Sequence, residues 1–400
     1  MWTEWTIAVK FLRDGRAQTM LILVGIAVGV SVIVFITAMI TGLQKNIIAR
    51  TLGTQAHIKV QAPDEVNRVL PVEPGAVQLL LEDKRAQRLR SINNWQQVRD
   101  ALDRLPQVTA VSPVVSGPAF ARRGAALESV ALVGIDLQRY QEIIPLATYM
   151  LSGSLRVGAG DAVIGKLLAD NLGLRVGDKL RLDAGQQSGT IVNVSGIFEL
   201  GVRELDSRYV YLDLKQAQSL LNLPGGVTVI DVTVQEIFNA DAVAERIRGL
   251  TGLKSESWMQ TNAQLMNALT AQSLSTSMIS VFVALSVAFG IASVLSVSVV
   301  QRTREIGILR ATGATREQML RVFLIQGAFF GLAGSIIGSA VGYGLVWIFN
   351  TFGPGLFVIP VAPSLVLFAM VLATITGVIA AAVPARRAAR LDPVAAIRYA

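Results

Sequence analysis

The octapeptide GDAVIGKL at residues 160–167 comes within one position of the phosphate loop G-x-x-x-x-G-K-[ST], whose glycine-rich turn cradles phosphate while its hydroxyl binds the metal. Leu167 stands where that hydroxyl must be, so the match fails at the metal ligand. A helix start and turn in a β-rich domain is the plainer reading. His57 is the only histidine and the chain has no cysteine. A zinc site would need several carboxylates around that one imidazole, and no such cluster is visible. Disulfides and thiol catalysis are excluded outright. The acidic pairs Asp64–Glu65 and Glu82–Asp83 lie in polar stretches where solvated charge is the default. Neither a G-x-S-x-G elbow nor a Ser/His/Asp order can be made out. The chain is expected to be no enzyme, with no catalytic residue, no metal and no cofactor of its own.

The densest chemistry lies elsewhere. QRTREIGILRATGATREQML, residues 301–320, packs Arg302, Arg304, Glu305, Arg310, Arg316 and Glu317 between two long apolar runs. Only 16% of the 400 residues are charged, against about 25% in ordinary soluble proteins, and 52% are hydrophobic. Four windows are long and apolar enough to cross a bilayer: Leu21–Ile40, Met278–Val300, Val322–Phe349 and Leu365–Val383. The first follows Lys10, Arg13 and Arg16 like a signal peptide, but it is longer than an h-region and no A-x-A site closes it, so an uncleaved span is expected.

Lys and Arg mark the cytoplasmic side of short loops. They crowd residues 1–18, the 301–321 loop and the tail, where Arg386, Arg387, Arg390 and Arg398 stand, while the loop 350–363 has no charge. Both termini are therefore expected in the cytoplasm, and the large segment 44–277 outside. That segment holds 24 of the 36 Lys and Arg beside 23 of the 28 Asp and Glu, a net of +1, and the rest of the chain carries +7. The basic balance is thus a topology signal. No basic face or stacking module makes it a nucleic-acid footprint. The expected division is a cytoplasmic segment 1–18, spans at 19–43, 273–301, 322–349 and 364–384, an extracytoplasmic domain 44–272, a cytoplasmic loop 302–321, an outer loop 350–363 and a cytoplasmic tail 385–400.

The outside segment reads as α+β. Strands are expected at 56–61, 108–115, 117–122, 128–135, 190–200, 208–214 and 228–235, and helices at 94–105, 215–223 and 240–250. Residues 161–185 read as a short helix, a turn at Gly173 and a strand, and 62–92 as a proline-broken polar loop. A subdomain inserted around 150–210 is expected.

The third span carries Gly327, Gly331, Gly334, Gly338 and Gly342 at GxxxG spacing. Such glycines let helix backbones approach closely in lipid, either as a sliding interface or as ordinary bundle packing. No ionisable residue lies inside any window, which argues against a proton or ion relay. Work must therefore come from a partner. In the 301–320 loop, Gly313 should break one helix and Thr315, with Gln318 three residues on, should cap the next. A charged helix between two spans suits docking on another protein, or only sets topology.

RTREIGILRATGATREQML and PARRAARLDPVAAIR (384–398) resemble the cytoplasmic loop and C-terminal ending of the MacB/FtsX-like (type VII) ABC transporter permeases. The element order is similar too: one span, a large extracytoplasmic domain, then three spans. GVSVIVFITAMITGLQ (29–44) with LGTQAHIKV (52–60) is similar to the lipoprotein-releasing LolC/LolE branch, and AVIGKLLADNLGLRVGDKLRL (162–182) to the family's extracytoplasmic domain. The resemblance implies a membrane protein of four transmembrane α-helices whose α+β domain comprises Porter-like and Sabre-like subdomains. It implies a dimer, of two copies or with a sister permease, in the bacterial inner membrane with the large domain periplasmic. Two copies of a separate cytoplasmic ATPase would hold ATP and Mg, and the chain itself is expected to carry no fused ATPase. Glu305, Gly307, Arg310, Gly313, Ala314, Thr315 and Arg316 would form the coupling element, and closure of the ATPase would drive motion outside the membrane.

The leading expectation is extraction or export of a lipoprotein or other amphiphile, with Phe35, Met39, Leu43, Leu274 and Met278 lining a cavity that the outer ends of the first and second spans form in a dimer. Alternatives are a MacB-type pump with a periplasmic adaptor and outer-membrane channel, and an FtsX-like activator of a cell-wall hydrolase. The size of 44–277 disfavours the last.

Overall fold

The computed structural model describes residues 2–64, 89–185 and 189–392. The chain divides into two units, Met1–Ile48 with Asn267–Ala400, and Ala49–Met266. Most of the 62–92 loop and the tail beyond Asp392, with Arg398, lie outside the described residues.

Among the described residues four helices are long and apolar enough to cross a membrane: Arg16–Leu52, Ala263–Gln301, Arg316–Phe352 and Pro363–Ala389. They are the first to fourth spans below. The first three run well past their apolar windows. At 1.5 Å per residue, a helix of 37 residues such as the first is roughly 55 Å long, against a hydrocarbon core of about 30 Å. Where the four meet, Ile22, Ile26, Val30, Ile291, Leu295, Phe330 and Ala373 form one buried cluster. The basic N-terminal segment is itself helical over Trp2–Asp14, and buries Ala8 and Phe11 against Ile306, Met319, Phe323 and Ala385.

The third span uses its two glycine pairs on different partners. A Cβ on Gly327 would sit 2.4 Å from the Gly377 carbonyl oxygen, and one on Gly331 2.6 Å from that of Ala373, both on the fourth span. Gly334 and Gly338 instead face the first span, where Ile26 Cγ2 and the Ala27 carbonyl oxygen would each lie 2.6 Å away. Gly342 continues that row against Val34. The overlapping GxxxG motifs therefore hold one helix against two others.

The other unit is built on one sheet. Its strands are β1 (Ile58–Gln61), β2 (Val108–Arg123), β3 (Ala126–Ile135), β4 (Met150–Gly153), β5 (Asp161–Gly165), β6 (Lys179–Asp183), β7 (Thr190–Phe198), β8 (Tyr209–Asp213), β9 (Val229–Val234) and β10 (Lys254–Ser257). The order is β10-β1-β9-β2-β3-β8-β5-β7-β4, with β6 against β2 and β7. β1 pairs antiparallel with β9, strands far apart in the chain, and β3 pairs parallel with β8. Tyr140, Leu146, Val163, Phe198 and Tyr211 centre its core, with the Phe198 and Tyr211 rings 5.3 Å apart.

Several local readings differ from this sheet. The strands expected at 108–115 and 117–122 are one strand, β2. Gly117 does not break it: a Cβ there would meet Leu221 Cδ2 at 2.7 Å, so glycine serves close packing within the strand. Residues 161–165, read as a helix start, are strand β5, and the helix begins at Lys166. Ala162, Val163 and Ile164 are fully buried, and periodicity does not separate a short buried strand from a helix. Gly173 does close that helix, in the left-handed region at φ 63°.

Candidate functional site

The turn between the second and third spans is anchored on two sides, by the N-terminal helix and by the end of the fourth span. Arg302 Nη2 donates to the Phe11 carbonyl at 2.8 Å, and its guanidinium lies 4.7 Å from the Phe11 ring centre. A helix follows at Thr303–Ala311, with Ile306 and Gly307 buried. Arg310 Nη1 donates to the carbonyls of Ala389, at 3.1 Å, and Leu391. The last carbonyls of a helix lack intrahelical partners and carry negative partial charge, so a cation at the end of the fourth span meets both needs.

Gly313 then turns the chain at φ 105°, where a side chain would be strained. The Ala314 N–H bonds back to Leu309 O at 3.0 Å, as in a left-handed helix cap. Thr315 accepts from the Gln318 N–H at 3.2 Å, and Gln318 Oε1 accepts from the Thr315 N–H at 2.8 Å. This reciprocal capping box starts the third span at Arg316.

The seven residues named from the sequence thus have two roles in one turn. Glu305, Gly313, Thr315 and Arg316 are exposed, with Arg304, Ile308 and Glu317 beside them. Gly307 is buried, and Arg310 and Ala314 are half-buried supports. The result is a stiff knob with a charged rim and one large exposed apolar side chain, Ile308.

A groove of about 580 Å³ lies between the first, second and fourth spans. Thr37, Thr41 and Gln44 line it from the first span, and Ser273, Thr276, Ser277 and Ser280 from the second. Farther along, Val281, Leu285, Phe368, Leu372 and Ile379 make its wall apolar. Thr276, Ser277 and Ser280 donate their hydroxyl protons to the carbonyl four residues back, at 2.9, 3.0 and 2.9 Å, which leaves oxygen lone pairs toward the groove.

None of the five lining residues named from the sequence borders this groove. Phe35 and Met39 pack against the cluster of Ala38, Val346 and Ile359. Leu43, Leu274 and Met278 are exposed on other faces of their helices. The groove's own signal in the sequence is spacing: 273, 276, 277 and 280, like 37, 41 and 44, fall on one helical face.

The phosphate-loop lookalike is a strand-to-helix junction. A Cβ on Gly165 would meet the Asp206 carbonyl oxygen at 2.2 Å, so protein fills the space a phosphate would need. Lys166 Nζ bonds Glu199 at 3.0 Å, and that hydrogen bond raises its pKa. His57 is half-buried and its Nδ1 accepts from the Val234 N–H at 3.1 Å. Burial lowers its pKa, opposed in part by the Val234 carbonyl 3.2 Å from the same nitrogen.

With this geometry in place, comparisons with known proteins add two family matches. Residues 19–250 match the MacB-like periplasmic core domain, and 277–393 the FtsX-like permease C-terminal domain. The chain is similar to the lipoprotein-releasing system transmembrane protein LolC of Xylella fastidiosa, 27% identical over 98% of each chain. It is also similar to LolE of Haemophilus influenzae, 25% identical over 98% of each. MacB of Shewanella oneidensis, a macrolide export ATP-binding/permease protein, is 26% identical over 99% of this chain and 61% of that protein. The periplasmic region of MacB from Actinobacillus actinomycetemcomitans aligns at 14% identity over 55% of this chain and 96% of that one, with a TM-score of 0.36.

Proposed function

The chain belongs to the FtsX-like permeases with a MacB-like periplasmic core domain, membrane components of ABC transporters, and from that premise we propose that it extracts a lipoprotein or similar amphiphile from the inner membrane. ATP is hydrolysed by a partner, two copies of which dock on the cytoplasmic side, and a second permease completes the membrane dimer. Both termini lie in the cytoplasm and the sheet domain in the periplasm.

The observation that carries this reading is the build of the 302–316 turn. Its exposed rim of Arg304, Glu305, Arg316 and Glu317 suits a protein surface, and its inner side is bonded to the N-terminal helix and to the end of the fourth span. A push on the rim is therefore delivered to several helices at once, since a tightly packed element moves as a body. The groove supports the choice of cargo. Its hydroxyl-lined end suits a polar head and its apolar wall an acyl chain, and the spans offer no ionisable path for a soluble ion. Relatives named for lipoprotein release align over nearly their whole length.

Gly313→Pro and Arg316→Glu test the coupling role. Proline holds φ near −65° and cannot adopt the positive φ at Gly313. Each variant should insert and fold normally, yet lose ATPase stimulation and transport in proteoliposomes with the partner ATPase. Retention of both activities would sink the assignment. The relatives named for macrolide export favour a second reading, efflux with an adaptor. Purification from membranes in mild detergent separates the two: a small ATPase with a lipoprotein supports extraction, and an ATPase with an adaptor supports efflux.

A further inference from the structure

In the extramembrane unit, the face of the sheet formed by β1, β9 and β2 is the floor of a second cavity, of about 500 Å³. Directly opposed residues of an antiparallel pair share a face, their Cβ atoms roughly 5 Å apart. Lys59 on β1 opposes Asp231 on β9, and both side chains line the cavity. Such neighbours ordinarily close into an ion pair. Here Asp231 is only 6% exposed, and its Oδ1 is buried with no hydrogen-bond partner. Gln55, also in the lining, holds its Nε2 buried and unpartnered. Buried polar groups are nearly always satisfied, so an acceptor and a donor left unpaired on two side chains of one lining point to a missing partner there.

We propose that this cavity binds a small zwitterion: an ammonium group held by Asp231, with an anionic group a few bonds away held by Lys59 and the Gln55 carboxamide. Phosphoethanolamine has this chemistry, either free or as a lipid headgroup. Tyr140, 3% exposed, also lines the cavity, and Glu204 at the exposed rim strengthens the preference for an ammonium group. Burial pushes the Asp231 carboxyl up to about 6, and Lys59 draws it back only in part, so a bound cation would restore the charged form. The site is independent of the transport reading, because every residue in it belongs to the sheet unit and none to the groove or the cytoplasmic turn.

The test is calorimetric titration of the full chain in maltoside with O-phosphoethanolamine, ethanolamine and inorganic phosphate. The zwitterion should bind saturably, at least ten-fold more tightly than either half. Asp231→Asn and Lys59→Gln, checked for folding by circular dichroism, should each weaken it at least ten-fold. A lipid source is read separately. In nanodiscs, phosphatidylethanolamine but not phosphatidylcholine should protect β9 amides from exchange, and Asp231→Asn should abolish that protection. Either source upholds the chemistry. Binding of one half as tight as the whole, or binding unchanged in both variants, overturns it. So does the lack of both saturable binding and lipid-dependent protection, which would leave Lys59 and Asp231 a salt bridge only.

Discussion

Half-buried Arg310 and buried Asp231 show how differently a protein holds a charge away from water. The guanidinium of Arg310 is matched by the last carbonyl of the fourth span and by one just beyond it, so removing it leaves those carbonyls open. Hydrogen bonds to charged groups contribute about 1.5–3 kcal/mol. Arg310→Met should therefore lower stability by about 3 kcal/mol, seen as an earlier thermal unfolding midpoint in detergent, and should also abolish ATPase stimulation. Asp231 is the reverse case. Its pKa is about 6 in the fold against 3.8 ordinarily, raised by burial. The folded state binds the extra proton, so this residue's contribution is most favourable below about pH 3.8, declines as pH rises to 6, and is constant above. Asp231→Asn should raise stability at pH 7.5 by on the order of 2 to 3 kcal/mol and change little at pH 4, as read from paired unfolding midpoints. Arg310 was legible from its place in a charged motif. Asp231 was not, because one aspartate in a β-rich stretch carries no sign of which strands will flank it.

At the scale of elements, the third span decides how the bundle packs. Gly331 lies against the Ala373 carbonyl, whereas a Cβ on Gly344 would meet nothing within 4 Å. Gly331→Val should disrupt the pairing of the third and fourth spans by several kcal/mol, as overpacking does, and reduce folded yield. Gly344→Val on the same helix should be near neutral, with fluorescence-detected size exclusion as the readout. The glycine spacing was plain in the sequence, as was the capping box at Thr315, because both depend on neighbours within one helix. Which partner each glycine meets was not, since all five look alike until the helices are packed. The same limit applied to the groove. The Ser and Thr face of 273–280 could have been traced by period alone, but that it meets Thr37 and Thr41 is a tertiary fact.

At the scale of the whole molecule, the absence of cysteine from the sequence makes topology directly testable. A cysteine at Gly355 should react in intact cells with a thiol reagent that cannot cross the inner membrane, and one at Ala311 only after lysis. The reverse pattern would invert the proposed orientation. Spans, charge bias and the charged turn were open to reading because the bilayer imposes length, apolarity and loop charge one segment at a time. Those constraints act locally along the chain, and so the sequence alone determined four membrane helices, an α+β segment between the first two and a capped, charged turn between the second and third. Only the tertiary structure decided that β2 runs unbroken through Gly117, that β5 is a strand, which helices the glycines join, and that Asp231 and Lys59 are cross-strand neighbours on the floor of a cavity. Each of these is settled by a contact between residues distant in sequence, where burial and close approach override local preference.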